Sequence, residues 1–81
     1  MTKLPQVSSQ NLIKALLKAG CSYAPVKGKG SHTALLRIDS NNTKHLIIIP
    51  KRDPIPKGTL LSIIKQSGYA KEEFFEKVKI K

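Results

Sequence analysis

Acidic side chains are scarce in this chain. Five Asp and Glu stand against fifteen Lys and Arg, a net charge of +10 over 81 residues. Like charges repel in the compact state, so the imbalance points to a partner, either phosphate or an acidic protein surface. Residues 1–67 carry only Asp39 and Asp53 of the acids, so the basic excess belongs to the front and middle of the chain. Cysteine is nearly absent as well. Cys21 alone excludes an internal disulfide framework and a thiolate metal cluster, and it reads as a small buried apolar residue. There is no tryptophan, and the four aromatics are Tyr23, Tyr69, Phe74 and Phe75. None of them suggests a stacking platform of the kind that reads RNA sequence on a sheet. No apolar run reaches the length of a membrane span, and the N-terminus has no signal-peptide core. The expectation is a soluble, cytoplasmic protein of one small domain, residues 1–81, with too little core for a deep enclosed pocket.

What is present is ordered. Ser8 or Ser9 can cap a helix from Gln10, with Leu12, Ile13, Leu16 and Leu17 on one face and Lys14 and Lys18 on the other. Gly20 is its stop. Cys21 to Val26 reads as a first strand, placed at a sheet edge because Pro25 cannot donate a ladder hydrogen bond. A second strand is expected at about Thr33 to Asp39, a turn at Ser40 to Thr43, and a third strand at Lys44 to Ile49. Pro50 ends it, and Lys51 to Pro56 form an extended basic connector. A helix from Lys57 or Gly58 to Gln66 follows, broken at Ser67-Gly68. A last helix is expected at about Lys71 to Val78. Tyr69 and Phe74 are spaced as a hydrophobic staple and Glu72 and Glu73 sit in the first turn, but Ala70 caps poorly. That helix should be the least stable element. Short loops between three strands imply an antiparallel meander, and the helices bury their apolar faces on one side of it. The fold class is α+β.

The chemistry centres on Lys27-Gly28-Lys29-Gly30-Ser31-His32. Glycines let the backbone turn and approach a ligand, lysines bring charge, and His32 can move a proton near neutral pH. A basic hairpin loop with an incidental histidine is the plainer reading of the same spacing. Metal-assisted cleavage needs convergent carboxylates, and zinc needs more His and Cys than His32, His45 and Cys21. Neither a metal nor a cofactor is expected. Ser31 and His32 are neighbours, which does not suit a nucleophile and its base. Metal-free cleavage of RNA suits the residues better. Its 2′-hydroxyl is a built-in nucleophile, so a histidine base and cations for the phosphorane are enough. Lys27, Lys29, Gly30, Ser31, Lys51, Arg52 and Lys57 are the candidate RNA contacts. His45, opening an apolar strand, reads as a structural or surface histidine.

Gly30-Ser31-His32 at a strand, Ile49-Pro50, Pro56-Lys57-Gly58-Thr59-Leu60 and Ile63 to Gly68, in this order, resemble the HicA toxins of bacterial toxin–antitoxin pairs. The resemblance runs from about Asn11 to Phe75. It implies an α-β-β-β-α fold like that of double-stranded-RNA-binding domains and a ribonuclease that inactivates mRNA. It also implies a HicB antitoxin as partner and a catalytic histidine at His32. The chain would be a monomer when free and a hetero-oligomer with its antitoxin. Two positions depart from the family. Thr33 stands where many members have a second histidine, and Lys51 and Arg52 follow Pro50 where many have another. His32 would then act with a lysine or water as acid. The alternatives are an RNA-binding module without catalysis on the same fold, and a basic protein-interaction domain.

Overall fold

Three helices and three strands follow one another in the structure, a computed structural model that describes residues 6–25 and 32–80. They are α1 (Ser9–Lys18), β1 (Ser22–Tyr23), β2 (Thr33–Ile38), β3 (Lys44–Ile49), α2 (Lys57–Ser67) and α3 (Lys71–Lys77). The strands form one antiparallel sheet in the order β1-β2-β3. The α+β class, the meander and the helices on one sheet face are as the sequence implies.

Alternation along the strands explains the layering. Leu35, Ile47 and Ile49 point to one face and are buried to 1% exposure or less. Against them pack Leu12 and Leu16 of α1, Leu60, Ile63 and Ile64 of α2, and Phe74 of α3. On the other face Ile38 and Leu46 are exposed.

Ser8 is the N-cap of α1, its Oγ accepting from the Asn11 N–H at 3.2 Å, so the helix begins one residue earlier than expected. Its buried stripe is Leu12, Ala15 and Leu16, while Ile13 and Leu17 are half-buried. The Cys21 N–H closes the helix end onto the Leu16 carbonyl, which leaves β1 only two residues rather than the six expected. Beyond β1, the Ala24 N–H still donates to the Ala34 carbonyl. Val26 lies outside the described residues. Strand β2 ends at Ile38, because Asp39 turns away to build the hairpin. Its N–H donates to the Thr43 carbonyl and its Oδ1 accepts from the Asn41 and Thr43 N–H groups.

Candidate functional site

The register of the hairpin decides what stands beside His32. Thr33 pairs with Ile49 as the last rung of the β2–β3 ladder. His32 precedes that rung and Pro50, Lys51 and Arg52 follow it, so all four leave the sheet at the same end. His32, Lys51 and Arg52 are exposed. Lys57, also exposed, opens α2, whose other end rests on His45. Lys57 is thus at the end of the helix away from the hairpin turn. Lys27, Lys29, Gly30 and Ser31 lie outside the described residues.

The segment carrying Lys51 and Arg52 is tied to α1. The Ser9 N–H donates to the Arg52 carbonyl at 2.9 Å, and the Ile55 N–H donates to the Val7 carbonyl at 2.8 Å. Ile55 is buried. The basic connector is therefore held by backbone bonds on both sides.

At the opposite end of the hairpin the second histidine is enclosed. His45 Nε2 lies 2.9 Å from Asp39 Oδ2. The His45 ring, and after it the Thr43 and Asn41 N–H groups, hold the Asp39 carboxyl below the usual carboxylate range. The ring packs under Gly68, which caps α2 in the left-handed conformation at φ +82. Beside it the Arg37 guanidinium donates to the Ser67 carbonyl at 2.7 Å and covers the Tyr69 ring at 3.7 Å. Buried Ser67 donates its hydroxyl to the Ile64 carbonyl and accepts from the Tyr69 N–H. Gln66 uses its Oε1 to accept the Ile48 N–H at 2.8 Å, which occupies one outward donor on the β3 edge. Gln66, Ser67 and Gly68 thus dock α2 on the hairpin. His32 and His45 stand at opposite ends of β2–β3, and the structure does not bring them together.

The family pattern named from the sequence is consistent with this arrangement. A family model described as HicA toxin of bacterial toxin-antitoxin matches residues 9–69. The chain belongs to the HicA toxin family. No curated protein matches it. As a HicA-family chain it is the toxin of a toxin–antitoxin system, and the family in general acts on mRNA and has a cognate antitoxin. The matched span includes His32, the connector, and α2 through Tyr69.

Two features of this HicA chain were not legible beforehand. Tyr23 on β1 is 64% exposed, beside Leu35 in the ladder and three residues along β2 from His32. It is a single exposed ring rather than a platform. The only advance signal was its place on a strand with an edge-marking proline. The second is the approach of the α1 N-terminus to the connector, which depends on contacts between residues more than forty apart. Among the described residues no group of three His, Cys, Asp or Glu gathers to hold a metal, and no helix is long and apolar enough to cross a membrane.

Proposed function

We propose that this HicA-family toxin is an endoribonuclease that cleaves mRNA without a metal, with His32 as general base, and that a HicB-type antitoxin neutralises it. The reading takes residues 1–81 as one toxin domain. The observation that supports it most is that His32, where the family resemblance implies the catalytic histidine, is exposed at the sheet end where Lys51 and Arg52 also emerge.

In the proposed step His32 takes the proton of a ribose 2′-hydroxyl. The 2′-oxygen bonds to the adjacent phosphorus and the bond from phosphorus to the 5′-oxygen breaks. A lysine or water returns a proton to that leaving oxygen. Lys27 and Lys29, with the Gly30 and Ser31 backbone, stabilise the charge that builds on the phosphorane, while Lys51, Arg52 and Lys57 contact backbone phosphates. A lysine is a compact point charge suited to a phosphate whose geometry changes during reaction. Tyr23 is the ring on which a neighbouring base could stack.

Replacing His32 by Ala removes a proton acceptor and leaves the lysines in place. Cleavage of a labelled RNA and growth inhibition on expression should fall by about two orders of magnitude, the share a general base commonly supplies. RNA and antitoxin affinity should hold within a few-fold. His45→Ala should cost far less cleavage per folded molecule. Wild-type cleavage by His32→Ala would remove His32 as base, and RNA binding without cleavage by the wild type would favour the RNA-binding module without catalysis.

A further inference from the structure

The N-terminus of α1 and the basic connector enclose a cleft of about 430 Å³, lined by Ser8, Ser9, Gln10, Lys51, Arg52 and Asp53. Four observations bear on what it holds. The first turn of α1 carries no acidic side chain, so the positive end of the helix dipole is not offset there. The Ser9 and Asn11 N–H groups are bonded, to the Arg52 carbonyl and to Ser8 Oγ, which leaves the Gln10 N–H without a partner among the described residues. Ser9, only 6% exposed, lines the cleft, and no side-chain hydrogen bond of the described residues uses its hydroxyl. Finally, Lys51 and Arg52 supply two exposed cations whose backbone is fixed to the helix. Asp53 also lines the cleft and opposes them.

We infer that this cleft is a subsite for a backbone phosphate of the RNA, one that flanks the scissile position rather than reacting. The inference rests on the RNA-cleaving reading above and adds Ser9 and Gln10 to it. A phosphate matches the donor set that lines the cleft, an N–H, a hydroxyl and two cations for its tetrahedral oxygens. A second cleft, beside Lys14, Lys18 and Lys79, has charge but no hydroxyl residue in its lining.

The test uses a 2′-O-methyl oligoribonucleotide, which has no nucleophile and is not cleaved. Its affinity is measured by fluorescence anisotropy at several salt concentrations. Gln10→Glu places one negative charge in the cleft while suiting the helix terminus. Asp53→Asn removes the cleft's own acid. Asn41→Asp makes the same charge change as Gln10→Glu, but in the hairpin turn. Gln10→Glu should weaken binding about 3–10-fold and flatten the salt slope by about 0.7, one phosphate contact on a single strand. Asp53→Asn should tighten it, and Asn41→Asp should stay within about twofold. The Gln10 amide resonance should shift on titration with the oligonucleotide and not with a polyglutamate of equal charge. If Gln10→Glu and Asn41→Asp weaken binding equally, or polyglutamate shifts the amide as far, the cleft is not a phosphate site and the RNA reading stands. If the wild type does not bind the oligonucleotide, the RNA reading falls and the subsite with it.

Discussion

At Gly68 the backbone takes φ +82, and a Cβ there would stand 2.5–2.9 Å from three atoms of the His45 ring. Conformation and space both demand glycine. Gly68→Ala should cost about 2–3 kcal/mol in denaturant unfolding. In a His45→Ala background only the backbone part should remain, about 1–2 kcal/mol. Equal costs in the two backgrounds would show that the ring contact contributes nothing. The partner of that ring sets a pH dependence. Asp39 is held below its ordinary value, chiefly by His45. Between the folded and unfolded values the unfolded chain binds more protons, so stability rises with pH there. Asp39 therefore stabilises the fold above about pH 4 and ceases to as pH falls through its lowered folded value. The melting-temperature gap between wild type and Asp39→Asn should be open at pH 7 and close at acid pH. A gap that widened on acidification would contradict the assignment. Burial likewise pushes the Cys21 thiol up, as its apolar neighbours require.

Among the elements, α1 and α2 are the two whose faces can be tested by charge. Leu16 and Ile64 are at most 4% exposed, and Lys14 is exposed. Leu16→Asp or Ile64→Asp buries an unpaired charge, worth several kcal/mol, and should unfold the protein by circular dichroism. Lys14→Ala should melt with the wild type. Three equal melting curves would mean the faces are misassigned. In α3 the poor cap is visible, since Ala70 has no side-chain acceptor and only Glu73 Oε1 reaches back to the Ala70 N–H, at 3.3 Å. Tertiary packing offsets it. Phe74 and Val78 are fully buried, and Tyr69 meets Phe74 edge-on at 6.4 Å, the staple the spacing predicts. Strand β1 was overestimated because periodicity sees side chains and not backbone donors. The Cys21 N–H was already committed to α1.

For the whole molecule, a charge of +10 sets how binding responds to salt. If roughly four to six of the basic residues contact phosphates, the affinity for single-stranded RNA should fall with salt at a log–log slope of about −3 to −4. A flat response would exclude phosphate contacts as the source of affinity.

Local chemistry was enough to determine the order of helices and strands, the third strand at Lys44 to Ile49, a serine cap at Ser8 or Ser9 and the family. Each depends on side-chain periodicity, a cap, a proline or a motif read within a few residues. His32 was singled out in the same way, from a glycine loop that opens a strand. What only the tertiary structure decided lies between segments distant in sequence. Gln66 on Ile48, Gly68 on His45 and Ser9 on Arg52 all join residues that neither periodicity nor spacing relates. Such contacts arise when helices settle on a sheet to bury a shared core, because the backbone groups left over at helix ends and strand edges must then find partners. The phosphate cleft comes from that settling. Its cations are in the sequence, but the helix end that faces them is brought there by the Ile55 and Val7 bond and the core behind it.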